Sequence, residues 1–321
     1  MPDRDIIDPH HHLWPPEFMD GLVGQYLLED LHGDTSTVPG VRQTVFVECG
    51  AAYRTDGPEH LRSVGETEFV AALAAASENT DGATIAGIVA HTDLTLPPEQ
   101  LDEALDAHEA AAGGRLRGIR DALAAAPPDT PLVIPATAAP GRAADPGFRR
   151  GVARLGERGL TYDTWQYHVQ AGEFVDLARA VPGTTMVLDH FCTPLGVGPF
   201  AGRRDEIFAT WKDDLAAIAA CDNVVAKLGG LAMPDNGFGW HEDPERRPDV
   251  DAFLAEQARW YHHAIECFGP ERCMFESNFP VDKLSVDYAV VWAAFEVIAE
   301  RYTPAEQDAL FAGTARRTYR L

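Results

Sequence analysis

A single-domain (β/α)8 barrel spanning residues 1–321 is the fold this sequence predicts, and three observations carry that expectation. Short apolar, β-branched runs recur eight times along the chain. Segments with the 3.6-residue period of a helix separate them, an alternation that implies right-handed crossovers and a parallel sheet. The runs also end in titratable side chains, as expected where strand tips surround a site at the C-terminal mouth of a barrel.

The first run covers residues 5–8 and leads into Pro9-His10-His11-His12-Leu13-Trp14. Side chains alternate along a strand, so His10 and His12 project together and His11 points away. Gln43–Val47 follows and ends at Glu48, then come Thr84–Ala90 and Leu116–Arg120. The second half supplies Leu160–Thr164, Thr185–Leu188 leading to Asp189-His190, Asn223–Leu228, and Cys273–Phe275 leading to Glu276. Helical periodicity marks Glu66–Ala76, Glu99–Ala112, Gly172–Ala180, Asp205–Ala220 and Asp251–Phe268. The Ala/Pro-rich stretch Ala124–Gly147 reads as a long loop after the fourth strand, because the strand and helix rhythm resumes unchanged beyond it. Phe191–Arg204 and Gly229–Pro248 read as further loops over the mouth.

Composition narrows the function. Fifty acidic against 26 basic side chains give a formal net charge of −24, a field that repels nucleic-acid phosphates and anionic membranes. Neither partner is expected, whereas a small-molecule substrate is, and a homo-oligomer remains open. Five dispersed cysteines without C-x-x-C spacing argue against a disulfide framework or a thiolate zinc site. The chain begins Met-Pro-Asp-Arg-Asp, with no basic segment followed by an apolar stretch, and a cytoplasmic location is the expectation.

Candidate site residues lie at the strand tips: His10 and His12, Glu48, Arg120, His168, His190, Lys227, and Glu276 with Asn278. Imidazole titrates near neutral pH and ligates divalent ions, so converging histidines suit proton transfer or metal binding. Trp14, Tyr53, Trp165, Tyr167, Phe191 and Trp240 are candidate walls for a cyclic substrate, with His241 beside the last of them. Arg203-Arg204 and Arg246-Arg247 are either solvated charges or a rim that recruits an anion.

Ile7-Asp8-x-His10-x-His12-x-Trp14, Gly118-Ile119-Arg120, Leu188-Asp189-His190, Lys227-Leu228-Gly229-Gly230 and Phe275-Glu276-Ser277-Asn278-Phe279-Pro280 together resemble the amidohydrolase superfamily. The branch most similar contains 2-pyrone-4,6-dicarboxylate lactonase and sugar-acid lactonases. The resemblance implies a barrel hydrolase centred on His10, His12 and His190, opening a lactone of a carboxylated or sugar-derived molecule. A metal-dependent decarboxylase and a barrel that binds without turnover are the alternatives. It also implies one divalent ion, zinc or manganese, on His10, His12 and His190, or a metal-free site in which the histidines and Arg120 hold the substrate.

One departure from the resemblance bears on mechanism: Asn278 stands where most of that superfamily carries an aspartate, and an amide accepts no proton at neutral pH. Glu276, Glu48, His168, His190 and Asp282, the last of them four residues past Asn278, are the candidate replacements. Glu276 is expected to pair with Lys227 as a structural ion pair.

Overall fold

The computed structural model describes residues 4–16, 18 and 24–321. Residues 1–3, at the start of the stretch read for a leader, lie outside them. Strands β1 (Ile6–His11), β2 (Val41–Val47), β3 (Thr84–Ala90), β4 (Leu116–Arg120), β5 (Thr161–Thr164), β6 (Met186–Leu188), β7 (Val224–Leu228) and β8 (Cys273–Phe275) pair in parallel, in sequence order. The chain past β8 meets β1 to close the cylinder: Asn278 N–H donates to His10 O (3.0 Å) and His12 N–H to Phe279 O (2.8 Å). Every expected strand is present, with β1 running on to His11 and β2 starting earlier, at Val41.

Helices α1 (Leu28–Thr35), α2 (Val64–Ser77), α3 (Pro98–Ala111), α4 (Pro146–Glu157), α5 (Ala171–Ala180), α6 (Arg204–Ala219), α7 (Val250–Phe268) and α8 (Tyr288–Ala299) occupy the connections. The main apolar core packs their inner faces on the outside of the strands, with residues such as Phe46, Phe148, Trp211 and Phe295. A separate cluster fills the cylinder: Ile7, Val45, Val47, Val89, Val187 and Met274, joined by Ala312, Ala315 and Tyr319. The last two of these sit on the C-terminal helix Thr314–Tyr319.

The stretch Ala124–Gly147 is a cavity wall as well as a connection. Ala125 bridges Thr137 in antiparallel fashion, and the Asp235 carboxylate past β7 accepts the Val133 (2.7 Å) and Ile134 (3.1 Å) N–H groups. Asp235 thereby ties the loops after β4 and β7 together. All five cysteines are free. Among the described residues no helix is long and apolar enough to cross a membrane.

Candidate active site

The strand tips surround a cavity of about 670 Å³, within the range usual for small-molecule sites. His12, Glu48, Arg120, Trp165, His190 and Asn278 line it, together with Trp14 and Tyr53. A second cavity, of about 460 Å³, lies beside α6 and α7 and touches none of the histidines.

The β1 pair projects as its alternation requires. The His10 and His12 rings meet edge to face at 4.9 Å, whereas His11 turns away onto Phe46. His12 Nδ1 donates to the Val47 carbonyl (2.7 Å), which leaves Nε2 as a bare acceptor. His10 Nδ1 faces both Glu276 Oε2 at 2.9 Å and the Lys227 ammonium at 3.3 Å. The shorter contact, to a full acceptor, fixes the proton on Nδ1, and His10 Nε2 is then bare as well. It lies 3.3 Å from His12 Nε2. Burial, reinforced by Lys227 at His10 and by Arg120 at His12, holds both imidazoles well below their ordinary pKa, so both are neutral.

His190 follows β6 in a left-handed turn, with φ of 53°, 57° and 62° at His190, Phe191 and Cys192. Such backbone persists in bulky residues only where the surroundings impose it. Here one carboxylate oxygen does so: Glu276 Oε1 accepts both the His190 backbone N–H (3.3 Å) and ring Nδ1–H (2.7 Å). Trp211 Nε1 clamps the next carbonyl, Phe191 O, at 2.7 Å. Gly230 leaves room for the ring, because a Cβ there would stand 2.2 Å from His190 Nδ1 at a φ of +69°. Gly230→Ala is therefore expected to tilt His190 and lower kcat by about 10²-fold, more than it changes KM, as steady-state kinetics will show.

Glu276 differs from its expected role. Lys227 does not bond it; the ammonium sits between Asp163 (2.9 Å) and Asp189 (3.2 Å), the former also accepting the Tyr319 hydroxyl. Glu276 instead holds both His10 and His190. Burial works to raise its carboxyl, but His190, His10 and their hydrogen bonds bring it down to about 2. A folded value below the usual 4.5 means stability present above that pH and lost as pH falls toward 2. Urea midpoints measured between pH 5 and 2 should fall in the wild type and run flatter in Glu276→Gln.

Glu48 is committed to Arg120, whose Nε donates to Glu48 Oε1 (2.7 Å) and whose Nη2 reaches Glu48 O. Arg120 Nη1 points toward His10 Nε2 (3.5 Å) and Asp189 Oδ2 (3.6 Å). Asn278 Nδ2 donates to Asp282 Oδ1 (2.8 Å), and Asp282 Oδ2 accepts the Ala232 N–H (3.0 Å). Burial pushes the Asp282 carboxyl up to about 7, and it stands behind Asn278 and off the cavity wall.

Like Asp282, the expected site residues His168, Trp240 and His241 lie off the cavity wall. His168 starts a short turn past β5, where it packs on Phe200 and accepts the Leu195 N–H, away from the cavity. Trp240 stacks on Phe238 and Phe253 in the apolar layer, and His241 is exposed. Tyr167 and Phe191 are likewise buried packing residues. Each of the four surface arginines is paired, Arg203 with Glu206, Arg204 with Glu256, Arg246 with Glu242 and Arg247 with Asp287.

The sequence reading missed His91, Asp93, Asp121 and Arg142 on the cavity wall. The signal was available: His91 ends the apolar run of β3 as His190 ends that of β6, and Asp121 directly follows Arg120. Burial opposes charge on His91, but Glu48 and Asp121 outweigh it and raise the imidazole.

The site's chemistry accommodates a divalent ion. Two bare imidazole nitrogens 3.3 Å apart repel unless a cation or proton lies between them. Their Nδ1 groups are anchored by a carboxylate and a carbonyl, the outer contacts that orient metal-binding histidines. Four buried carboxyl groups, Glu48, Asp163, Asp189 and Glu276, also surround only two cations, Arg120 and Lys227. Ligand atoms of His10, His190 and Glu276 also lie within 4.8 Å of one another, but Glu276 already accepts the Nδ1–H of both histidines, so the nitrogens left open to an ion are Nε2 of His10 and His12.

A parallel barrel whose C-terminal mouth gathers oriented imidazoles and paired carboxylates defines an enzyme. The chain belongs to the amidohydrolase family, whose profile matches residues 7–321. It is 32% identical over 324 residues to L-fucono-1,5-lactonase of Burkholderia multivorans, covering 98% of this chain and 96% of that one. It is 30% identical over 339 residues to the protein y4mH of Sinorhizobium fredii, covering all of both. A crystal structure of a Burkholderia multivorans amidohydrolase with bound zinc superposes with a TM-score of 0.75 at 28% identity over 99% of each chain.

Proposed function

We propose that the protein hydrolyses a lactone, a small cyclic ester, by adding water to its carbonyl carbon. The observation that carries this reading is His190, held by Glu276 through Nδ1–H with its ring on the cavity wall. An imidazole oriented in this way can serve as a general base. The lactonase relative, similar along nearly the whole chain, supports the same reaction class.

Water beside His190 gives its proton to Nε2 as the oxygen bonds to the acyl carbon, and Glu276 stabilises the imidazolium that forms. The Arg120 guanidinium, fixed by Glu48, faces the negative charge gathering on the carbonyl oxygen. Collapse breaks the acyl carbon to ring oxygen bond, and the imidazolium returns the proton to that oxygen, yielding an open hydroxy acid. Asn278, held by Asp282, can donate or accept a hydrogen bond but takes no proton. A zinc or manganese ion on His10 and His12 would polarise the ester carbonyl.

The test is proton release from a panel of five- and six-membered lactones, with carbon dioxide release followed in parallel on aromatic carboxylates. Saturable lactone opening supports the proposal, and carbon dioxide release without it refutes it. Elemental analysis before and after chelation is expected to find about one divalent ion per chain, with removal lowering both thermal midpoint and activity.

A further inference from the structure

We infer that His91, just past β3, is a second catalytic group of this site: its Nε2–H donates to the ring oxygen of the lactone and stabilises the negative charge that gathers there as the acyl carbon to ring oxygen bond breaks. The inference rests on the hydrolytic reading and adds to it a residue that the proton transfers through His190 leave unused.

His91 lines the cavity directly after the last residue of β3, between Glu48 past β2 and Arg120 at the tip of β4. Its ring is fixed on two sides. Nδ1 lies 2.9 Å from the Arg120 carbonyl, which only accepts, so Nδ1 carries a proton. The Tyr53 ring stacks on it, with centroids 6.3 Å apart and planes 18° from parallel. Nε2 is left over: it takes part in no hydrogen bond with the described residues and is not one of the buried polar atoms that lack a partner, so it opens on the cavity.

Carboxylates keep a proton on that nitrogen too. Glu48, Glu66 on α2 and Asp121 past β4 act on the imidazole, while His108 on α3, which burial pushes down to about 4, adds no charge. The three acidic neighbours outweigh burial and raise His91 above the ordinary imidazole value, whereas His10 and His12 are held below it. Imidazoles whose surroundings push their pKa values apart take opposite roles, and the raised one is the donor.

The other cations of the wall are engaged. Arg142 Nη2 is shared between Asp121 Oδ2 (2.6 Å) and Asp93 Oδ1 (2.9 Å), and Arg120 faces the carbonyl oxygen. The ester's second oxygen shares its carbon with that carbonyl oxygen, and His91 flanks Arg120 on the neighbouring strand. A hydrogen bond from a cation to a forming alkoxide strengthens as the charge grows, so it speeds the reaction more than it tightens binding. The proton count is unchanged: the proton of water passes to His190 Nε2 and on to the ring oxygen, and His91 keeps both of its own.

The test varies the leaving oxygen. δ-Valerolactone releases an alkoxide that needs a donor, and dihydrocoumarin a phenoxide that needs little help. His91→Phe, which keeps a ring to stack on Tyr53, should lower kcat about 10²-fold on the first and less than about threefold on the second, with KM nearly constant. A displaced Arg120 or a loosened fold would slow both alike. On the lactone that the wild type opens fastest, the rate above the spontaneous one should fall as pH rises through the raised pKa of His91. That basic limb should be missing in His91→Phe and move to lower pH in Asp121→Asn, which keeps the imidazole and serves if the first variant does not fold. Equal losses on the two lactones, or a basic limb unchanged in both variants, overturn the inference while wild-type turnover keeps the hydrolytic reading. A wild type that opens no lactone overturns both.

Discussion

His190→Asn is expected to lower kcat for lactone opening by about 10²–10⁴-fold, with a much smaller change in KM. Asparagine suits the position because it tolerates the φ of 53° that His190 adopts, so the left-handed turn is kept while the base is lost. Glu276→Gln should produce a loss of similar size for a different reason. A glutamine amide placed with its NH2 toward His190 Nδ1 favours the tautomer protonated on Nε2, which cannot take a proton from water. The two losses should not add in the double variant, since the residues act as one unit. Unchanged kcat in His190→Asn, with the thermal midpoint preserved, would remove His190 from the chemistry.

Lys227→Met is expected to destabilise the fold by about 3–5 kcal/mol, a large share of the roughly 5–15 kcal/mol that holds a typical domain together. Lys227 lies wholly buried at the floor of the site, with Asp163 at 2.9 Å and Asp189 at 3.2 Å. Burial works against its charge, yet the two aspartates raise its pKa above the ordinary value, so the ammonium is the counter-charge that lets both carboxylates exist there. A methionine of similar length removes that charge and leaves two anions facing each other in a dry interior. Changing Asp163 and Asp189 to asparagine in the same chain should recover part of the loss, because replacing a whole buried ion cluster is far milder than breaking it. Tyr319→Phe, which deletes one donor to Asp163, should cost about 1–3 kcal/mol. Urea denaturation of the four proteins measures these differences, and a Lys227→Met loss below about 1 kcal/mol would contradict the counter-charge role.

The sequence shows the barrel plainly because its strands are short, apolar and β-branched and its tips are polar. The helices were less legible. Helix α8, reading Tyr-Ala-Val-Val-Trp-Ala-Ala-Phe-Glu-Val-Ile-Ala, is apolar on nearly every side, so it has no polar stripe from which to read a period. Helix α4 begins at Pro146, hidden at the end of a stretch that reads as loop. Within the site, the side-chain period along β1 revealed the His10 and His12 pair, and the strand tips revealed His190 and Arg120. Pairing between strands was not legible. Whether Glu276 meets Lys227 or the histidines depends on depth inside the cylinder, and Asp163 and Asp189 arrive at Lys227 from strands 64 and 38 residues earlier in the chain. Trp240 and His241 illustrate the converse: a loop that follows a strand can fold its aromatic residues outward into the helix layer.

The formal charge of −24 also has a local expression, since carboxylates outnumber cations on the cavity wall. The arginines there are held by those carboxylates, Arg120 by Glu48 and Arg142 by Asp121 and Asp93.

The most direct measurement is the initial rate of acid release from a neutral six-membered sugar lactone, followed with a pH indicator against the spontaneous rate. A centre built on His190 and Glu276 predicts saturable acceleration by the wild type that falls to near background in His190→Asn. Acceleration of the same size in both proteins, or none in either, would contradict it.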